Sequence, residues 1–160
     1  MMTLVETITV GSGGAASIEF TGIPQDGKDL QVFASGRLTG GPDAADLRFN
    51  SDSGSNYSQI RLTGTGSAVS SAGFTTDRIN IEFCGNTQTS NTFGNMKILL
   101  SNYTSTLAKS VSIDAVTENN ATAAKQELTA GSYATTSAIT SLQIIKSFAE
   151  HSTVSLYTIS

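Results

Sequence analysis

The chain has 160 residues, the length of one domain spanning 1–160, and only 14% of them are charged. Ser and Thr occur 22 times each and Gly 15 times, a composition suited to strands and tight turns that excludes a helical bundle, a coiled coil and a Rossmann-type enzyme. The formal charge is −4 and the basic residues are scattered singly from Lys28 to Lys146, so no basic stripe exists for a phosphate backbone and nucleic acid is not an expected partner.

Apolar residues alternate with polar ones along most of the chain, the mark of strands with one face in a core and one in water. The pattern predicts strands near 4–10, 15–20, 29–38, 46–50, 57–63, 77–84, 95–101, 109–117, 125–129, 138–146 and 152–159. Leu30, Val32 and Ala34 form one such row. Leu47 with Phe49, Ile60 with Leu62, and Ile79 with Ile81 and Phe83 form others, as do Val111, Ile113 and Ala115. Turn clusters separate them: 11–14, 40–43, 50–56, 85–86, 94–95 and 118–120. Ala121 to Leu128 has only weak helical amphipathicity and reads as a loop running into a strand. Short spacings without helices mean antiparallel pairing, and the expected fold is all-β: an antiparallel two-sheet β-sandwich, jelly-roll-like. Phe20, Phe49 and Phe83 are its expected large core anchors.

Two segments break the alternation. Ile98-Leu99-Leu100 and the stretch Leu142, Gln143, Ile144, Ile145 offer apolar side chains to both faces. Either a bulge, a covering loop or a strand at a sheet corner accounts for the second face, or another subunit covers it. On the second reading Ile98, Leu99, Leu100, Leu142, Ile144 and Ile145 form an oligomer interface, with Leu99 the outward residue of its strand.

Catalytic patterns are not evident. His151 is the only histidine, and no spacing ties an acid or a nucleophile to it. Gly11-Ser12-Gly13-Gly14 and Gly64-Thr65-Gly66 read as hairpin turns, with no G-x-S-x-G elbow and no Walker A pattern. The 50–56 loop carries oxygen ligands two apart, but the twelfth position of a calcium loop starting at Asn50 is Arg61 rather than Glu. Asp43 and Asp46 make a similar weak pair, and zinc would need a His and Cys cluster. Neither a catalytic residue, a metal nor a cofactor is expected. Cys84, the one cysteine, cannot form an internal disulfide and reads as a small wall residue. Sequons at Asn56, Asn102 and Asn120 occur about as often as chance allows. Met1 to Val10 lacks the features of a signal peptide and no stretch reaches the length of a membrane span, so no membrane partner is expected and synthesis in a reducing cytoplasm is. Sugar stacking would favour Trp, which is absent; Tyr57, Tyr103 and Tyr157 lie in or beside strands where burial is the default.

Four segments carry a resemblance. They are Phe20-Thr21-Gly22-Ile23-Pro24-Gln25 with Asp29-Leu30; Leu47-Arg48-Phe49-Asn50-Ser51-Asp52 through Gly54 to Asn56-Tyr57-Ser58; Asn102-Tyr103 with Lys109; and Ile139-Thr140-Ser141-Leu142 with Phe148, Ser152 and Ser155-Leu156-Tyr157. In this order they resemble a family of short virion structural proteins of tailed bacteriophages, cyanobacterial and marine phages above all. The resemblance implies a β-sandwich that serves as a capsid cement (decoration) protein. Such a protein is made in the host bacterial cytoplasm and binds the major capsid protein on the outside of the mature head, at the capsid surface of the virion, commonly as a homotrimer. Related domains also occur in fibres, so a receptor-binding or tip domain of a tail or head fibre is the alternative. The cement reading is preferred because strands begin by Leu4 and end by Ile159, leaving no room for a shaft. At Tyr157-Thr158-Ile159 the chain departs from the family's more usual Tyr-Gly-Ile.

Overall fold

A computed structural model of the chain describes residues 1–118 and 124–160. Twelve strands follow one another: β1 (Met2–Thr9), β2 (Ala15–Phe20), β3 (Asp29–Gly36), β4 (Ala44–Phe49), β5 (Tyr57–Gly64), β6 (Val69–Thr76), β7 (Ile79–Glu82), β8 (Gly94–Leu100), β9 (Lys109–Glu118), β10 (Ala124–Tyr133), β11 (Leu142–Phe148) and β12 (Thr153–Ile159). They pair antiparallel into two unequal sheets. One has eight strands in the order β1-β12-β3-β8-β9-β10-β5-β6, and the other has four in the order β2-β11-β4-β7. The all-β, two-sheet antiparallel architecture is the one that the alternation predicts.

The core lies between the sheets. Val32, Ile98, Ile113, Val154 and Leu156 of the larger sheet meet Ile18, Leu47, Ile79, Leu142 and Ile144 of the smaller one, and all are buried. Phe20, Phe49 and Phe83 are buried among them, as expected. Phe83 and Phe148 meet edge to face at 5.2 Å between ring centres, a favoured aromatic geometry. Gly36 on β3 makes room for this pair, since a Cβ there would lie 2.7 Å from the Phe83 ring.

Several strands differ from expectation for local reasons. β6 is not predicted because its sequence, Val-Ser-Ser-Ala-Gly-Phe-Thr-Thr, lacks a second apolar row to alternate with, being an exposed edge. β10 runs on to Tyr133 through the small residues Ala130-Gly131-Ser132; Gly131 has to be small, because a Cβ would lie 2.8 Å from Ile79. The strand expected at 138–146 begins only at Leu142. Ile139, fully buried, belongs to the preceding loop, so its apolar character mimics a strand. The helical candidate at 121–128 is strand from Ala124 onward; its first three residues and the Asn120 sequon lie outside the described residues.

The apolar segments at β8 and β11 need a correction. Ile98, Leu100, Leu142 and Ile144 are each at most 1% exposed, because they fill this chain's own core. They offer no surface to another subunit. Only Leu99 and Ile145 face away from the core, both half-buried. A break in register between Ile145 and Phe148 supplies the bulge that the alternative reading of β11 anticipated.

Candidate functional site: the uncovered face of the eight-stranded sheet

Many of the residues that carry the resemblance gather at one end of the sandwich, where they tie loops together, whereas Phe148 and Ser152 lie at the opposite end beside Gly36 and Arg37. Tyr103, fully buried, donates its hydroxyl to the Pro24 carbonyl and accepts from the Gly27 N–H at 3.3 Å. Gln25 donates through Nε2 to the carbonyls of Ile23 and Ile139, at 2.8 and 2.9 Å. Asp29 Oδ1 accepts from the Asn102 N–H at 2.8 Å. Asn50 joins the β4–β5 loop to the β10–β11 loop: Nδ2 donates to Ala138 O at 2.8 Å, and Oδ1 accepts from the Thr140 N–H at 2.8 Å. Asn50 and Ser51 both have positive φ, a conformation that Asn tolerates better than most residues. Lys109, almost fully buried, donates to the carbonyls of Ser105 and Leu107, and its burial lowers its pKa.

Asp52 organises the 50–56 loop. Its Oδ1 accepts from the Gly54 N–H at 2.7 Å, and its Oδ2 accepts from Asn56 Nδ2 at 2.8 Å and the Tyr133 hydroxyl at 3.0 Å. These bonds, the Gly54 N–H first, hold its pKa below the ordinary carboxylate value. The carboxylate is thus engaged by its own loop. Tyr57 and Tyr133 stack at 4.7 Å beneath it, and burial raises the pKa of both phenols.

The other sequence candidates lie apart. His151 sits exposed in the β11–β12 turn at φ +72°, and its N–H donates to Val10 O. Asp43 accepts from Gln88 at 3.3 Å, whereas Asp46 pairs with Arg78 at 3.2 Å. Cys84 is buried, with its thiol 3.1 Å from Thr92 Oγ1 and 3.5 Å from Arg37 Nη1. Among the described residues no three His, Cys, Asp or Glu side chains gather in a metal-binding group.

The unusual region is the β5–β10 pair. Sequence alternation assigns Ile60 and Leu62 to the core, and the structure reverses this. Gln59 and Arg61 of β5 and Glu127 and Thr129 of β10 point toward the smaller sheet, with Gln59, Glu127 and Thr129 at most 3% exposed. Ile60, Leu62 and Leu128 point outward, 63%, 48% and 45% exposed. The polar inner row is largely paired near the margin of the smaller sheet, although Gln59 Nε2 is buried without a hydrogen-bond partner. Arg61 Nε lies 3.5 Å from Glu127 Oε2, Lys125 Nζ lies 2.5 Å from Glu82 Oε1, and Gln59 Oε1 accepts the Asn80 N–H at 2.7 Å. Burial raises the pKa values of Glu82 and Glu127 despite these cations.

The register extends this reversal into a whole face. Leu62 stands opposite Leu128, Ile60 opposite Ala130, and Val69 opposite Gly64. Across the sheet, Leu4 stands opposite Tyr157, and Phe33 meets Tyr157 edge to face at 5.8 Å. Lys97 and Asp114 stand opposite each other between the two apolar ends. Among the described residues eleven large apolar side chains are exposed, and eight lie on this face: Met2, Leu4, Phe33, Ile60, Leu62, Val69, Val116 and Leu128. Near its β6 margin, Ser58, Ile60, Gly73, Thr75, Ala130 and Ser132 line a shallow depression. With strands about 4.8 Å apart, eight of them span roughly 34 Å, so the face has the scale of a standard interface of about 800 Å² per partner. Two clusters of exposed apolar side chains on one face make that face the candidate interaction surface.

Of the sequence-predicted interface residues, only Leu99 lies on this face; Ile145 lies on the outside of the smaller sheet. Ile60, Leu62, Leu128 and Val116 escape the sequence reading because alternation gives a strand two faces without saying which is inside. No local signal marks the reversal: Glu127-Leu128-Thr129, which pairs with Thr63-Leu62-Arg61, reads as an ordinary strand with its polar row in water.

Compared with protein-family models, with curated proteins and with solved structures, the chain has no match.

Proposed function

We propose that this protein is a structural component of a phage virion, a capsid cement protein that binds the major capsid protein on the outside of the mature head. The observation that carries the reading is the inverted β5–β10 pair, which puts Ile60, Leu62 and Leu128 in water and Glu127 and Gln59 inside. A chain that folds alone gains nothing from that inversion; a chain whose outer face is to be covered does. The face is broad and shallow, suited to another protein surface and not to enclosing a small molecule. The resemblance supplies the nature of the covering protein, and the residues that carry it are mostly core and loop-bridging residues, so they speak for the scaffold. The strand order supports the jelly-roll version of the sandwich: β1-β12-β3-β8 and β2-β11-β4-β7 follow its two-sheet pairing, and the β5–β6 and β9–β10 hairpins enlarge one sheet.

The mechanism is linkage. A protein that binds the closed mature lattice more tightly than any ruptured or immature form adds its binding free energy to the closed state alone. Phage lacking the protein should assemble heads but lose packaged DNA sooner on heating or osmotic shock, with adsorption to cells unchanged. Mutant particles with full heat resistance and defective adsorption would instead favour the fibre-tip reading.

A further inference from the structure

Four strands form the edges of the two sheets, and three of them carry features that discourage pairing with another strand. β1 has a register break between Leu4 and Glu6 and a carboxylate in mid-strand. β2 has six residues and carries Glu19, which accepts from Gln143 at 2.8 Å. β7 has four residues, ending in Asn80, Ile81 and Glu82. β6 has none of these features. It runs for eight residues without a charge or a proline, and its register with β5 is continuous from Tyr57↔Thr76 to Gly64↔Val69. Six of its eight residues are exposed. Among the described residues, no backbone hydrogen bond reaches β6 from any segment other than β5. Its outer edge is therefore a straight row of unpaired donors and acceptors.

We propose that β6 is a self-pairing edge: a second copy of this chain docks its own β6 antiparallel to it, joining two eight-stranded sheets into one. Strand pairing needs a partner of similar length without a bulge or a like charge. Among the described edges of a second copy only β6 meets that requirement, so the contact is isologous and closes at two copies. The parity of the strand fixes the arrangement. Val69, Ser71, Gly73 and Thr75 share the outer face, and Ser70, Ala72, Phe74 and Thr76 share the inner one. A two-fold axis perpendicular to the sheet keeps each set on its own side only if the pairing centres on a residue and its own symmetry mate. The small residues Ala72 and Gly73, at the middle of the strand, suit that position. The same axis places both apolar outer faces on one side of the dimer, so two copies would engage a common surface together. This two-fold association takes the place of the three-fold one that the resemblance implies, and it holds or fails whatever the outer face binds.

The test uses the purified full chain. Light scattering from low micromolar to near millimolar concentration should show the mass doubling, and the amides of Val69–Thr76 should become slower in hydrogen exchange over the same range. Ser71→Lys and Thr75→Lys each add a charge at an exposed position beside the edge, and each should return the mass to that of a monomer with little change in melting temperature. Should either lysine variant fail to fold, the exchange of β6 in the unaltered protein decides alone. A monomer at every concentration would overturn the proposal. So would a mass that both lysines leave unchanged, or a three-copy assembly with freely exchanging β6 amides.

Discussion

At the scale of single residues, Asp52 shows how a loop that reads as a cation site can be a structural knot. Its two oxygens accept from Gly54, Asn56 and Tyr133, and all three bonds favour the ionised form. Its folded pKa lies below the ordinary 3.8, so its stabilising contribution is present above that value and is lost as pH falls through the lower folded value. Asp52→Ala should cost about 1–3 kcal/mol near neutrality by leaving its donors without their partner, with the gap to the unaltered protein closing in acid, as read by urea denaturation. Glu82 and Glu127 have the opposite sign. Burial raises both above the ordinary 4.5, so their contribution is fully present below that pH and is lost as pH rises through the folded values. The double variant Glu82→Gln, Glu127→Gln lacks that loss. Whatever its offset from the unaltered protein, its relative stability should improve between pH 4.5 and neutrality. Unfolding midpoints that move together across that range would contradict the buried, proton-linked state of the pair.

At the scale of elements, β8 separates two readings that composition leaves tied. Ile98 and Leu99 are neighbours of similar hydrophobicity, but Ile98 is 1% exposed in the core and Leu99 sits half-buried on the outer face. Ile98→Ala should cost about 2–5 kcal/mol through lost burial and the cavity left behind. Leu99→Ala should stay within about 0.5 kcal/mol, as is usual for outward positions. Equal losses in thermal unfolding would mean that the strand is not oriented as described. The alternation of β8 and β9 was legible because their inner rows, Met96-Ile98-Leu100 and Val111-Ile113-Ala115, are apolar and their outer rows are mostly polar. β6 was not legible because an edge with both faces open to water imposes no period on its side chains. Ile139 misled for the converse reason: a loop residue plugging the end of a sandwich is as apolar as a strand residue, and nothing local separates the two.

At the scale of the whole molecule, the unequal widths of the sheets create the candidate surface. Four strands line the inner face of the larger sheet, and among the described residues no layer covers its outer face. If that face binds a capsid lattice, Leu62→Ser with Leu128→Ser should abolish saturable binding to heads that lack the protein, with the melting temperature nearly unchanged, because both side chains are already about half exposed. Binding should weaken only modestly with added salt, since the face is mainly apolar and hydroxyl-bearing with Lys97 and Asp114 set against each other. Cosedimentation across a salt series measures both effects. Steep salt dependence, or full binding by the double variant, would point to the loops at the ends of the sandwich as the contact.

The sequence by itself determined the fold class, most of the strand positions and the three aromatic anchors, because period-two alternation is a local consequence of backbone geometry. It also marked the residues that close one end of the sandwich, although not that their role is to bridge loops distant in the chain: Asn50 bonds to Ala138 and Thr140, and Tyr103 to Pro24. Only the tertiary structure decided which row of each strand faces the core. A strand's two faces are equivalent until a second sheet is laid on one of them. Here the smaller sheet covers the polar row of β5 and β10 at its margin and leaves Ile60, Leu62 and Leu128 outside. The orientation of a row depends on pairing register and layer order, and both are set by contacts between residues far apart in the chain.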